Sequence, residues 1–211
     1  MSSPGLWSRT RQAAFNEIAE VAMGLFLEQG FEATTFDDIA AAAGISRRSL
    51  FRYFGTKEDL VLWNMADEGA RARAALAERP DDEPLWTSLR TVLITLLQDR
   101  AADPERLLKI SQMMYGTPSL RARSVEKHLR WQADILPEVK RRLPPADDDT
   151  ADLRAAAVVA AAMACLDTAG EAWTRRRGAV PLSELLAVAF EAMGHSQPAR
   201  TDRGRCEPAA G

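Results

Sequence analysis

Apolar side chains recur at steps of three and four along most of the chain, and that period predicts helices nearly throughout. The first is expected from about Thr10 to Gln29, with Phe15, Ile18, Val21, Ala22, Leu25 and Phe26 on one face. Gly30 ends it as a C-terminal glycine. Thr35, with Asp38 three residues on, carries the capping signature of a second helix whose inner face is Ile39, Ala40 and Ala43. Gly44 permits a tight turn because it tolerates positive φ. Ser46 then caps a third helix over about Arg47 to Phe54, from which Leu50, Tyr53 and Phe54 point inward. Thr56 and Asp59 repeat the capping signature, and a fourth helix is expected from Lys57 to about Glu78. Arg79-Pro80-Asp81-Asp82-Glu83 reads as a linker.

Further on, prolines mark helix starts. Pro84, Pro104, Pro118 and Pro181 suit the first helical position, where no amide donor is needed, and Asp103 and Thr117 supply caps. The remaining helices are expected over 84–101, 104–115, 118–142, 151–177 and 181–193, about nine in all. Pro137 is expected to kink or split the helix over 118–142. No strand alternation is evident, so the fold class is all-α. The chain divides into a three-helix head over 10–56, a helical body over 57–193 and a polar tail over 194–211, where disorder is expected.

Charge changes the picture at one place. The net charge is −3 and the isoelectric point is near 5.5, which excludes a wholly basic nucleic-acid coat. From Ser46 to Lys57, however, the charges are Arg47, Arg48, Arg52 and Lys57, with no acid among them. Arg47 and Arg48 fall in the first turn of a helix, where a cation costs about 0.3–1 kcal/mol. Folding does not ask for them there, whereas a DNA phosphate or a guanine edge would reward both. A short helix–turn–helix presenting arginines is a probe for the major groove.

Other chemistry is sparse. Cys165 and Cys206 form neither a disulfide framework nor a metal site, and a reducing cytoplasm follows as the simple expectation. The N-terminal MSSPGLWSRTR lacks an apolar signal core. The longest apolar run, Ala155 to Leu166, falls short of the ~20 residues that span a bilayer, so no membrane partner is expected. No nucleophile elbow, phosphate loop or dinucleotide fingerprint occurs, so neither an enzyme nor a cofactor is expected. In the body, Trp86, Leu89, Leu93, Met113 and Met114 are candidates for an adaptable apolar pocket. Tyr115, His128, Trp131, Ile135, Met163, Leu166 and Trp173 join them; ordinary core packing is the alternative for each. His128 could hydrogen-bond a ligand, and Arg130 or the Arg121–Arg123 pair could meet an acidic one. Ala155, Ala156, Ala160, Ala161 and Ala164 would permit close helix approach. Leu182, Leu185, Leu186, Val188, Ala189 and Phe190 give the last helix an apolar face.

Taken together, residues 10 to 62 resemble the DNA-binding domain of the TetR family of transcriptional regulators. The resemblance rests on Thr34-Thr35, Asp38-Ile39-Ala40, Ala43-Gly44-Ile45-Ser46, Leu50-Phe51-Arg52-Tyr53-Phe54 and Lys57-Glu58-Asp59-Leu60, with Gly30-Phe31 before them. It implies a homodimer whose two heads enter successive major grooves of a near-palindromic double-stranded operator, and most relatives are repressors released by a small molecule. By position, it implies that Thr35 meets a phosphate and that Arg47, Arg48 and Ser49 reach base edges. Arg52 and Tyr53 match backbone-contacting positions, and Lys57 matches a phosphate-binding lysine. Phe51 departs from the tyrosine common there, which favours apolar contact with a thymine methyl or a sugar. Arg48 replaces a small residue, which implies an unusual operator. The resemblance places the last two helices in a four-helix dimer interface, with core packing inside one subunit as the alternative. Glu171-Ala172-Trp173-Thr174 with Pro181-Leu182-Ser183-Glu184-Leu185-Leu186 is similar to a subgroup with an acyl-CoA-like ligand-binding C-terminal domain, which implies a thioester or another elongated amphipathic effector. A helical adaptor that binds a protein partner and touches DNA weakly is the competing function.

Overall fold

A computed structural model describes residues 6–65, 67–100, 103–145 and 150–194, and all the regular structure in them is helical. The head comprises α1 (Leu6–Gln29), α2 (Phe36–Ala42), α3 (Arg47–Phe54) and the short α4 (Lys57–Val61). A single 3-10 turn, Trp63–Met65, leads to α5 (Glu68–Ala77). The body continues through α6 (Leu85–Arg100), α7 (Pro104–Gly116), α8 (Pro118–Arg142), α9 (Ala151–Arg175) and α10 (Leu182–Gly194).

The local capping rules hold in the head. Thr35 and Asp38 form a reciprocal capping box at α2, Ser46 accepts from the Ser49 amide at α3, and Thr56 and Asp59 box α4. Gly44 turns the chain between α2 and α3 at φ 66°. Ile18, Ala22, Phe26, Ile39, Leu50, Phe54 and Leu60 close one core, and Leu120 from α8 is buried in the same cluster. A second core joins Leu76, Leu93, Trp131, Ile135, Val139, Ala162, Leu186 and Phe190 across the body.

Three expectations about helices fail. The fourth helix does not run from Lys57 to Glu78; it stops at Val61, and α5 begins at Glu68, which makes ten α-helices among the described residues where about nine were expected. The break serves both cores. Trp63 turns into the head, edge-on to Phe15 at 5.3 Å and Phe54 at 5.2 Å, and its indole donates to Asn16 Oδ1 at 2.8 Å. Carbonyls at the break accept from α8: Lys127 adds a donor to the Leu62 carbonyl, which also accepts from the Met65 amide at 3.0 Å, and the Trp131 indole donates to the Met65 carbonyl at 3.2 Å. Second, of the kink or split expected at Pro137 the split does not occur, since α8 is continuous through it. Ile135 and Val139 on either side are fully buried in the body core, and that packing carries the helix across the missing N–H. Third, Thr117 makes no side-chain cap at α8, whereas Asp103 caps α7 as expected.

The linker over 79–83 is braced. Glu83 accepts from Arg79 Nε at 2.8 Å and from the Ser88 hydroxyl at 2.6 Å. Arg142 Nη1 donates to the Leu76 carbonyl at 2.9 Å, closing the end of α5. The expected disorder beyond Gly194, and Cys206 with it, lies outside the described residues. The apolar run over 155–166 lies inside the helix expected over 151–177: α9, 25 residues, as a whole reaches the length and hydropathy of a membrane span. It packs instead between α8 and α10 through Ala155, Val159, Ala162, Met163, Ala169 and Trp173.

Candidate DNA-binding face and ligand cavity

Leu50 and Phe54 pin α3 against the head core, which turns the opposite side of the helix outward. Arg47, Arg48, Phe51 and Arg52 are exposed there, with Ser49 and Tyr53 half-buried at its margins. The six predicted residues of α3 are thus all at least partly accessible, and Thr35 at the start of α2 is exposed as well. Their surroundings differ. Arg48 has no ion-pair or hydrogen-bond partner among the described residues. Arg47 donates to Asp37 Oδ2 at 3.0 Å, across the turn. Arg52 lies 4.9 Å from the centre of the Tyr53 ring and donates to its hydroxyl at 2.9 Å. Tyr53 in turn leans on Phe15 at 4.9 Å. Phe51, 46% exposed, is stacked on Phe36 at 4.3 Å and 15°. Thr35 holds the Asp38 carboxyl below the ordinary carboxylate range, first through its hydroxyl and then through its amide.

Lys57 differs from expectation. Its ammonium turns inward and donates to the carbonyls of Phe31 at 2.8 Å, Thr34 at 3.0 Å and Glu32 at 3.5 Å, beside the Phe31 ring. An ammonium has three donors, and with them this lysine ties the α1–α2 turn to α4. Phe36 and Asp37 were not anticipated on this face. Asp37 reads in sequence as a helix-start acid, and only the fold brings it to Arg47.

In the body, a mostly apolar cavity of about 350 Å³ opens between the head and α5–α10. Of the predicted pocket residues, Leu93, Met114, His128, Trp131, Ile135 and Leu166 line it, and so does Tyr115. The others do not. The Trp86 indole donates to the Phe190 carbonyl at 3.0 Å, at the α6–α10 contact. Leu89 and Met163 are buried in the body core, Met113 packs on the head core, and Trp173 is buried on α9 against Gly178. Helical spacing places all of these inside, but it does not say which core atoms border a void.

Sequence reasoning missed the polar lining, because isolated charges on long helices carry no local signal. Glu20, Glu68, Arg106 and Asp167 border the cavity. Arg106 pairs with Glu20, and Glu68 with Arg71 at 2.9 Å. Tyr115 donates to the Asp167 carbonyl at 3.3 Å, and burial pushes its phenol up to about 12, so it remains a donor. Gly170 makes room for that ring: a Cβ there would lie 2.5 Å from the Tyr115 oxygen. His128 Nδ1 approaches Asp167 Oδ1 to 2.9 Å, but off the line of a hydrogen bond, and so the buried nitrogen is left unsatisfied. Arg121 pairs with Glu171 at 3.5 Å and Arg123 with Asp59 at 2.9 Å.

The cavity reaches the head. Glu20 and Met23 of α1 and Val61 of α4 are part of its wall. Nearby, Asp59 accepts from the Thr56 amide with one oxygen and from Arg123 of α8 with the other, which joins the α4 cap to the body. On the far side, α9 and α10 sort into two faces. Ala155, Leu186 and Phe190 are buried within the subunit, while Ala156, Ala160 and Ala164 are exposed at four-residue steps. Leu153 (69% exposed) and Val188 (63% exposed) extend that outer surface. Among the described residues, no cluster of three His, Cys, Asp or Glu side chains could hold a metal ion.

Comparison with known proteins agrees with this geometry. Residues 18–62 match the profile of bacterial regulatory proteins of the tetR family, and residues 83–198 match that of the MftR C-terminal domain. A Mycobacterium tuberculosis protein named as a mycofactocin biosynthesis transcriptional regulator, MftR, is 30% identical over 186 residues, covering 88% of this chain and 92% of the relative. The HTH-type transcriptional regulator TcmR of Streptomyces glaucescens is 29% identical over 196 residues, covering 90% and 85%. The crystal structure of Thermus thermophilus FadR, a TetR-family repressor in complex with lauroyl-CoA, superposes with a TM-score of 0.60 at 22% identity, covering 93% of this chain and all of that one. The helix–turn–helix head, the all-helical body and the two matches that together span both make this chain a member of the TetR family of transcriptional regulators, with a C-terminal domain of the MftR type.

Proposed function

We propose that this chain is a cytoplasmic, non-enzymatic repressor that holds a near-palindromic operator as a homodimer and releases it when a small amphipathic molecule fills the body cavity. The observation that carries the reading is the shared wall: a ligand touching Leu93, Trp131 and Leu166 also touches Glu20, Met23 and Val61 of the head. A ligand with different affinity for two head positions shifts their balance, and operator affinity falls when both half-sites cannot be met together. Arg47, Arg48, Ser49, Phe51 and Arg52 would face the major groove, with Thr35 and the Tyr53 hydroxyl toward the backbone. Lys57 acts through the turn it ties. The outer stripe of Ala156, Ala160, Ala164 and Val188 is the surface a second copy would cover, and no membrane partner is invoked. The apolar cavity suits an acyl chain, and the lauroyl-CoA complex of the similarly folded FadR supports an acyl-CoA-like effector. A coenzyme headgroup would remain outside a space of about 350 Å³.

Footprinting the DNA upstream of the chain's own and neighbouring genes tests the reading. A protected palindrome, bound by a species with the mass of two chains and weakened by lauroyl-CoA, is the expected result. Absence of any discrete footprint at moderate salt would instead favour the protein adaptor.

A further inference from the structure

The outer face of the head carries a second structure within it. Asp37 opens α2, Arg47 opens α3, and they meet at 3.0 Å although ten residues apart. The same guanidinium lies 5.7 Å from the centre of the Phe51 ring, and Phe51 stacks on Phe36. Four side chains, two from each helix of the helix–turn–helix, thus form one cluster, with Phe36 half-buried on the head core and the other three exposed. Its ion pair is too exposed to hold the fold: the Arg47 and Asp37 side chains are 60% and 66% accessible. Its carboxylate also stands on the side that DNA would approach, where phosphates repel it. Arg48, one residue along, has no ion-pair or hydrogen-bond partner among the described residues.

We infer that Asp37 is a specificity-determining residue that acts through Arg47: it holds that guanidinium in one direction on Phe51 and removes it from the pool of free cations. The inference rests on the reading that α3 faces DNA. The physical basis is twofold. A loose arginine follows any phosphate and strengthens binding to every sequence alike, because phosphate contacts carry no sequence information. A guanidinium tethered by one N–H to Asp37 keeps its remaining donors in a fixed fork, which suits a base edge and suits a wandering phosphate less. The apolar platform under it accounts for Phe51 in the same terms. A phenol hydroxyl at that position would add a phosphate contact; the bare ring serves as a surface for Arg47 to lie on.

The test uses the full chain and the variants Asp37→Asn, Arg47→Ala and the double variant. A randomised duplex library is first enriched by the wild-type protein. The enriched duplex and a random duplex of equal length are then titrated with every variant across salt concentrations. Asp37→Asn should bind the random duplex about threefold to tenfold more tightly at low salt, with a salt slope steeper by about one phosphate contact. Its affinity for the enriched duplex should change less than about twofold, so discrimination falls. In the Arg47→Ala background the Asp37 change should leave discrimination unaltered. Unchanged melting temperature confirms that each variant is folded. If Asp37→Asn strengthens binding to both duplexes equally, with or without Arg47, the carboxylate is only a repulsive charge and the inference is wrong. If Asp37→Asn leaves both affinities and the salt slope unchanged, it is wrong as well. Should the wild-type protein enrich no sequence at all, the repressor reading fails along with it.

Discussion

At position 48 an arginine stands without an ion-pair or hydrogen-bond partner among the described residues, one residue after an arginine that is held from two sides. The cost of a cation in the first helical turn applies to both, but only the second is left uncompensated by the fold. Arg48→Ala should therefore weaken binding to the operator by about 1–3 kcal/mol, or about 5- to 150-fold, while binding to random DNA changes less than about threefold. Fluorescence anisotropy on both duplexes at one salt concentration reads the difference, and equal losses on the two would remove Arg48 from base reading. Lys57 belongs to the opposite class. Its three carbonyl partners make it a brace of the α1–α2 turn, and hydrogen bonds to a charged group are worth about 1.5–3 kcal/mol when buried, less when half exposed. Lys57→Ala is expected to lower stability by about 1–2 kcal/mol, or about 2–8 °C in melting temperature. A variant that melts normally and binds all DNA more weakly would instead return Lys57 to the phosphate-contacting role.

Between elements, α5 lies close on α8 at Gly69. An alanine at position 69 would gain helix propensity of about 1 kcal/mol over glycine. Its Cβ, however, would lie 2.5 Å from Asp134 Oδ2 and 2.9 Å from the Trp131 Cα. The carboxylate can swing away; the Cα is backbone and cannot, so overpacking of about 1–3 kcal/mol outweighs the gain. Gly69→Ala should shift the urea midpoint downward, and an upward shift would show that α5 and α8 slide freely. The linker between α5 and α6 adds a pH dependence. Arg79, and then Ser88, hold the Glu83 carboxyl down to about 2, against an ordinary value of 4.5. Its contribution is fully present above about 4.5 and is lost as pH falls from there toward 2. Glu83→Gln should accordingly flatten the acid limb of the stability curve in that window and leave its alkaline side unchanged. How much of all this can be read from the chain depends on how local the cause is. The caps at Thr35, Ser46 and Thr56 and the turn at Gly44 involve residues within three or four positions, and all of them form as read. The break after Val61 is unreadable because its causes, Phe15, Lys127 and Trp131, are distant in sequence. Pro137 misleads for the converse reason: a local rule is overruled by burial on both sides. Leu89 and Leu93 sit one turn apart on α6 with identical chemistry, yet only Leu93 meets the cavity. The exposure of Arg47, Arg48 and Arg52 was legible because charge placed against helix polarity gains nothing from the helix itself, whereas the Asp37 contact needed the turn to be built first.

Across the whole molecule, head and body are joined at few places, and those places decide whether a filled cavity is felt at the DNA. Leu120 of α8 is buried in the head core, Lys127 donates to the Leu62 carbonyl at the end of α4, and Arg123 holds Asp59 of the α4 cap. The first two maintain the fold. The third is partly exposed on both sides and contributes little to stability, so it can be changed without collapse. Coupling between two sites is a free energy carried by contacts that differ between states, commonly 5- to 150-fold in affinity. If α8 communicates with α4 through this ion pair, Arg123→Gln will bind operator and ligand separately within about threefold of the wild-type values, yet the loss of operator affinity on saturation with lauroyl-CoA will shrink severalfold. Ligand affinity is read from quenching of Trp131, which lines the cavity, and operator affinity from anisotropy with and without ligand. Because coupling is reciprocal, the weakening of ligand binding by operator must shrink by the same factor. An unchanged ratio in both directions would mean that the shared wall at Glu20, Met23 and Val61 transmits the signal unaided, and that the Arg123–Asp59 pair only fixes the resting angle of the head.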